Sequence, residues 1–248
     1  MRKNRGRSKS KPDAGLKELR LHDVIAHDLG VRIVSGRQRP GVRLDNEIIA
    51  SARLKVSRSV YREAVRILIA KGLLHSGPRV GTQVRPLEAW QLLDPDVLLW
   101  LFEFDPGDKL LADLFELRKI VEPEAARLAA SRRTVQHLNK MNRALKDMAT
   151  YTLAAEAGRL ADREFHTMLL RASGNAFLIS LTSGVTAAIT WSSVFKQREN
   201  PTTRNWISDH ERVYNAIEAA DPNAAHHAMY ALLDLAFLDT KSVSNGER

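Results

Sequence analysis

The chain has 248 residues, of which 44% are hydrophobic and 27% charged, and its 38 Lys and Arg against 29 Asp and Glu give a formal net charge of +9. That length suits one small and one medium domain, each able to bury a core. Cysteine is absent, which excludes disulfides and thiolate metal sites; no apolar run is long enough to span a bilayer, and no apolar segment follows the basic N-terminus as a secretory signal requires. A cytoplasmic protein with no membrane partner is expected.

The positive charge is local. Residues 1–86 hold 20 Lys and Arg against 7 Asp and Glu, whereas the other 162 residues hold 18 against 22. A basic front on a slightly acidic body marks a nucleic-acid module joined to a module with another job. Residues 1–12 contain six basic and no acidic side chains and nothing to bury, so residues 1–16 are expected to form a disordered basic arm. Such an arm either adds phosphate contacts or serves as a solvated tail.

Next in the chain, Leu19, Val24, Ile25, Leu29 and Ile33 recur at helical spacing over 16–35, up to Gly36. Pro40-Gly41 is a turn, and residues 47–54 make a short second helix. Ser57 then caps a third helix whose Ala64, Val65, Leu68 and Ile69 form the face to be buried, leaving Arg58, Ser59, Arg62 and Arg66 on the polar side. Gly72 stops it, and His75-Ser76-Gly77-Pro78 punctuates two short extended runs that end at Val84. Three helices followed by a two-stranded wing make a winged helix-turn-helix over 17–86. A helix that opens with Ser, Arg and Ser suits the major groove, because guanidinium forks pair with guanine edges and hydroxyls with phosphate oxygens. Arg58 and Arg62 are expected to read bases, while Ser57, Ser59 and the wing fix the register.

Residues 87–107 read as a linker with two short helical turns, the second capped by Asp94-Pro95-Asp96, and with Leu98, Trp100, Leu101 and Phe102 packing one domain on the other. From residue 108 the pattern is helical throughout, with helices near 109–131, 134–151, 153–173, 175–196, 202–220 and 222–240, then a flexible tail at 241–248. The fold class is therefore mainly α: an N-terminal winged helix-turn-helix with a small β wing, and a C-terminal all-α helical bundle.

Within the bundle, Asp162 and His166 lie four residues apart and so project from one helix face, where a carboxylate and an imidazole can share a divalent cation. His210 shares a face with Val213, Tyr214 and Ile217, which turns its ring toward the core. A half-buried hydrogen bond for the first pair and a satisfied core histidine for the second explain the same residues without a ligand.

In the N-terminal part, Leu44-Asp45-Asn46-Glu47, Val56-Ser57-Arg58, Arg62-Glu63-Ala64-Val65, Gly72-Leu73 and Gly81-Thr82-Gln83-Val84 stand in the register of the GntR family of bacterial transcription regulators, which the chain resembles over some forty positions. Two departures stand out. Lys55 occupies a turn position where the family has Gly, at a cost if the residue is left-handed. Arg79 stands near the wing tip where the family commonly has Gly, which exchanges close backbone approach for a cation able to enter a narrow minor groove. The linker sequence LLDPDVLLW resembles that of a subset of these regulators that respond to sugar acids.

Residues 109–232 are similar to the FCD ligand-binding domain of the FadR branch, on Arg118 with Glu122-Pro123 and Ala125-Ala126, Asp162 with Phe165-His166, Gly174-Asn175, and His210. The resemblance implies a bound metal shared by Asp162, His166 and His210, with a further family histidine near position 232. Here that position is Leu232, and His226 and His227 point elsewhere on the helix. Three protein ligands plus water or an effector oxygen can hold a zinc-like ion; a metal-free pocket in which the same three residues hydrogen-bond the effector remains the alternative. Arg118 either clamps an anionic effector or pairs with Glu122 one turn on.

The resemblance implies a homodimeric, double-stranded-operator-binding regulator, a repressor rather than an enzyme, controlled by a small carboxylate, with Ser57, Arg58, Ser59, Arg62, Arg79 and Gly81 on DNA and Arg118, Asp162, His166 and His210 on the effector. A metal-dependent enzyme with a DNA-tethering head is the alternative. It would need a general base beside the metal, and Glu164 is two residues from Asp162 and faces away.

Overall fold

The computed structural model describes residues 20–103, 107–199 and 205–244. The expected basic arm at 1–16 lies outside them.

The N-terminal domain is built from α1 (Leu21–Val34), α2 (Glu47–Leu54), α3 (Arg58–Ala70), β1 (Leu74–Gly77) and β2 (Gly81–Val84). Helices α2 and α3 start at side-chain caps, whereas α1 starts after Arg20 without one. Asn46 Oδ1 accepts from the backbone N–H groups of Ile48 and Ile49 at the start of α2, and Ser57 Oγ accepts from that of Val60 at the start of α3. Lys55 does take the left-handed conformation, at φ 55° and ψ 41°. Helix α3 ends at Gly72, where φ is 77° and a Cβ would stand 2.3 Å from the carbonyl oxygen of Ala89, so glycine is required there twice over.

The buried side of α3 consists of Tyr61, Ala64, Val65 and Leu68; Ile69, expected there, is exposed. The difference is one of phase, because Tyr61 at the first turn rotates the apolar stripe away from Ile69. Similarly, α1 buries Ile25, Ala26, Leu29 and Ile33 but exposes Val24. The strands pair antiparallel from Leu74 opposite Val84 to Gly77 opposite Gly81. A third extended segment joins them: the N–H of Leu44 donates to Thr82 O, that of Val84 to Val42 O, and Arg43 bridges Gln83.

Helix α4 (Pro95–Glu103) follows a single 3-10 turn at Leu87–Ala89 and works as a two-faced wedge. Val97, Trp100 and Leu101 belong to the core of the N-terminal domain, and Leu98 and Phe102 pack with Leu111, Leu114, Phe115, Ala187 and Ala188 of the following bundle. Gly30 of α1 makes room for the wedge, since a Cβ there would stand 2.4 Å from the Trp100 ring. At the foot of α3, Lys71 Nζ donates to Asp94 at 2.7 Å and pairs with Asp96 at 2.8 Å, while Gln91 Nε2 donates to Ala70 O. Helix α3 is thus tied to the linker at its C-terminal end.

The C-terminal domain comprises α5 (Gly107–Arg132), α6 (Val135–Tyr151), α7 (Glu156–Ala172), α8 (Ala176–Ser180), α9 (Thr182–Glu199), α10 (Trp206–Glu218) and α11 (Pro222–Ser244). Helix α5 packs on α11 and α7, and α10 on α11 and α6. The segment expected as one helix over 175–196 is two, because Leu181 caps α8 before α9 begins. The last helix continues through Ser244 into the expected tail. Phe165, Met168, Leu169, Met141, Met148 and Met229 are buried at the centre, and truncating such a side chain to Ala typically costs about 3 to 5 kcal/mol. No helix among the described residues is long and apolar enough to cross a membrane.

Candidate functional site

Two regions concentrate chemistry: the cleft between α3 and the wing, and a buried cavity in the helical bundle.

In the cleft, Ser57, Arg58 and Ser59 are exposed at the N-terminal end of α3, and the two serine hydroxyls lie 2.9 Å apart. Arg62 is also exposed, but its guanidinium forks onto Glu47 at the start of α2, with Nε to Oε2 at 3.1 Å and Nη2 to Oε1 at 2.7 Å. That bond raises the Arg62 pKa and lowers the Glu47 pKa. Arg79 and Gly81 are both left-handed, at φ 66° and 76°, at the tip and far side of the wing. The cleft itself is a concavity of about 690 Å³ lined by Arg43, Glu47, Arg58, Arg62, Arg66 and Gly81 among others.

The buried cavity is assembled from α5, α7, α9, α10 and α11. Arg118 of α5 donates through Nε to Glu122 Oε1 at 2.6 Å, and Glu122 Oε2 meets His166 Nδ1 at 2.6 Å. All three side chains are buried, Glu122 completely. On its other side, His166 Nε2 faces Asp162 Oδ1 at 3.6 Å, and His210 Nε2 approaches the same oxygen at 3.2 Å. His210 is held from behind because its Nδ1 donates to Trp206 O at 2.9 Å. Its Nε2 is buried 3.2 Å from that carboxylate oxygen and makes no well-aligned hydrogen bond. That placement leaves room for the two atoms to share a cation.

The electrostatics are those of a tight ionic network. Burial works to raise the Glu122 pKa, but the Arg118 and His166 charges overcome it and hold the carboxyl at about 2. Burial likewise opposes charging of His166, yet Glu122 and Asp162 hold its pKa at about 9. Asp162 is pulled well below the ordinary carboxylate range, its own desolvation outweighed by the two imidazoles.

The donor set fits a divalent metal. Ligating atoms of Asp162, His166 and His210 all lie within 4.8 Å of one another. Ligands about 2.1 Å from a tetrahedral zinc-like ion stand roughly 3.4 Å apart, close to the 3.6 and 3.2 Å that separate the Asp162 oxygen from the two imidazole nitrogens. Each histidine also has the outer partner that fixes a metal-ligating tautomer: the Glu122 carboxylate for His166 and the Trp206 carbonyl for His210.

Comparison with known proteins settles the kinship. The profile for bacterial regulatory proteins of the gntR family matches residues 21–84, and the FCD domain profile matches residues 113–235. The galactonate operon transcriptional repressor of Escherichia coli (strain K12) is 31% identical over 214 residues, spanning 85% of this chain and 93% of the relative. The chain belongs to the GntR family. Its FCD domain places it in the FadR-like branch. The HTH-type transcriptional regulator LutR of Bacillus subtilis (strain 168) is 32% identical over 212 residues, 81% of this chain and 92% of LutR. The solved structure of Lar, which controls the expression of the Listeria monocytogenes agr system, has a TM-score of 0.64 at 16% identity, covering 92% of this chain and 99% of Lar, a likeness of fold. This GntR protein is thus a DNA-binding regulator with a helical FCD domain, and its family is not an enzymatic one.

Leu232 lines the cavity beside Asp162, His166 and His210, so the position where the family resemblance implies a fourth ligand is filled by an apolar side chain. Two features escape sequence reasoning. Glu122 is legible only as the helical partner of Arg118; its bond to His166 spans 44 residues and leaves no local signal. Buried Asp209 and Ser192 also line the cavity, Asp209 being paired with Arg212.

Proposed function

We propose that this GntR protein is a dimeric, operator-specific repressor of a cytoplasm, released from DNA when a small carboxylate, a sugar acid, binds in the FCD cavity beside a divalent cation held by Asp162, His166 and His210. The observation that carries this reading is the convergence of His166 Nε2, His210 Nε2 and an Asp162 oxygen in one buried cavity that also contains the Arg118 guanidinium. Arg118 gives Nε to Glu122 and offers its remaining donors as a fork for a carboxylate. A bound cation would supply a Lewis-acidic anchor for carboxylate and hydroxyl oxygens, and Leu232 leaves one coordination position for the ligand rather than the protein. The galactonate operon repressor among the relatives makes galactonate the first acid to test.

On DNA, two heads would place their α3 helices in successive major grooves about 34 Å apart. Arg58 reads base edges, Ser57 and Ser59 fix the register, Arg62 exchanges Glu47 for DNA, and Arg79 and Gly81 carry the wing into the minor groove.

The cavity, at about 40 Å³, has room for an ion and a water but not for a sugar acid. Its walls must therefore move when effector enters. One wall is α9, through Ile189 and Ser192, and α9 also bears on the linker: Ala187 and Ala188 pack with Leu98 and Phe102, and a Cβ on Gly184 would stand 2.9 Å from Leu93 O. Because the linker is tied to the foot of α3 through Lys71, displacement of α9 has a contiguous path to the head. The size of the switch equals the difference in effector affinity between the two states.

The test is an operator selected from a random duplex pool, followed by displacement titrations with galactonate and other sugar acids, with and without zinc. Displacement by one acid, accompanied by a raised thermal midpoint, is expected. Retention of the operator by the chain under every acid and metal combination would remove effector control.

A further inference from the structure

We propose that Arg43 is a phosphate-binding residue, held in place by Gly81 of the wing, at the point where one strand of the duplex must pass between recognition helix and wing. The inference rests on the reading of the N-terminal domain as a DNA-binding head and deepens it.

The geometry starts from the third extended segment beside β2. Backbone hydrogen bonds from Gly41 to Val84, from Val84 to Val42 and from Leu44 to Thr82 pin residues 41–44 along the wing strand, so Arg43 emerges from a fixed backbone. Its guanidinium lies flat against Gly81: a Cβ built there would come within 2.5 Å of Nε, 2.8 Å of Nη2 and 3.0 Å of Cζ. Gly81 therefore does more than supply a left-handed turn. Any side chain at that position would push the guanidinium out of its seat.

Charge bookkeeping separates Arg43 from its neighbours. Arg53 pairs with Asp45, Arg62 with Glu47 and Arg66 with Glu63. Arg43 is exposed and has no acidic partner among the described residues, while the exposed Arg58 makes no ion pair but lies close enough to Glu47 for its charge to be felt there. Arg58 stands at the N-terminal end of α3, where the major groove is read, whereas Arg43 lines the wall of the cleft between α3 and the wing. When a recognition helix enters a major groove and a wing enters the adjoining minor groove, the phosphates that separate the two grooves fill the space between helix and wing. An unneutralised guanidinium fixed in that space has a phosphate oxygen as its natural partner.

A phosphate contact differs from base reading in two measurable ways: it is indifferent to sequence, and it contributes to counterion release. Arg43→Gln is therefore expected to weaken binding of the full chain to its selected operator and to an unrelated duplex by the same factor, roughly ten-fold, and to flatten the plot of log affinity against log salt by about 0.9. Gly81→Ala should reproduce both changes and add little on top of Arg43→Gln, because it acts by displacing the same guanidinium. An unaltered thermal midpoint in Arg43→Gln, and a drop in Gly81→Ala no larger than the left-handed backbone explains, would show that the heads remain folded.

Unchanged affinity and salt slope in Arg43→Gln would overturn the assignment. So would a loss confined to the operator with binding to unrelated DNA intact, since that is the mark of a base reader. Arg58→Ala serves as the reference: wild-type discrimination that disappears in this variant supports the head reading independently, and a wild-type chain that binds no duplex at all overturns that reading together with this one.

Discussion

The head and the body of this molecule use charge in opposite ways. In the head, ion pairs such as Arg62 with Glu47 and Arg53 with Asp45 sit at the surface, where water and salt screen them and each contributes little to folding. In the body, Arg118, Glu122, His166, Asp162 and His210 form one buried chain of contacts in which every charge depends on its neighbour. Exposed pairs can be exchanged for a ligand at little cost, as DNA binding demands. A buried network holds its geometry until something replaces a member of it, as the proposed recognition of a small ligand demands.

The largest effect that would break this contrast is at Glu122. Replacing it by Ala leaves Arg118 and His166 buried without their shared carboxylate, and breaking a buried pair in this way typically costs about 3 to 5 kcal/mol. Urea unfolding of Glu122→Ala should show such a loss, whereas Glu47→Ala should leave the midpoint unmoved. Equal midpoints for both variants would mean that the body network is no more structural than the surface pairs.

Next in size is the loss of a metal ligand. His210→Ala removes one of three convergent donors and should lower zinc affinity by more than the 10- to 100-fold typical of outer-shell changes. Calorimetry on the full chain measures this directly, and operator binding without effector should be retained. Zinc binding that survives the substitution undiminished would place the metal elsewhere or nowhere.

The network also sets a pH window. Glu122 is held at about 2 and Asp162 is depressed as well, so their stabilisation is present above the ordinary carboxylate range and is lost as pH falls through 4.5 toward 2. His166 is held at about 9, so its stabilisation is complete below 6.5 and is lost as pH rises toward 9. The metal-free body should therefore be most stable between these limits. Zinc takes the position of the His166 proton, so its uptake should release a proton and strengthen with rising pH up to about 9. Calorimetric titration in buffers of different ionisation enthalpy counts that proton.

The sequence makes the two regions unequally legible. The head is read almost whole because its signals are local: Asn46 and Ser57 cap the helices that follow them, Gly72 ends α3, and the wing turn lies within a few residues. The local failures are Val24 in α1 and Ile69 in α3, the latter from a stripe whose phase Tyr61 sets. In the body, the Asp162 and His166 pair is visible at four-residue spacing, but that Glu122 backs His166 and that Arg43 sits on Gly81 are facts of packing between distant segments. Periodicity along one helix carries no information about which face of another helix it will meet.

The smallest expected effect tests the head alone. Lys55 closes the turn between α2 and α3 in the left-handed conformation, which costs an L-residue with a Cβ about 1 to 2 kcal/mol that glycine does not incur. Glycine in turn loses about 0.5 to 1 kcal/mol through the greater freedom of the unfolded chain. Lys55→Gly should therefore stabilise the head by roughly 0.5 to 1 kcal/mol and leave the zinc affinity of the body untouched. It also removes a positive charge from the turn before the recognition helix, so DNA affinity should fall slightly even as the urea midpoint rises. Stability and binding moving in opposite directions in one variant would show that this lysine is retained for its charge, at the expense of the turn that carries it.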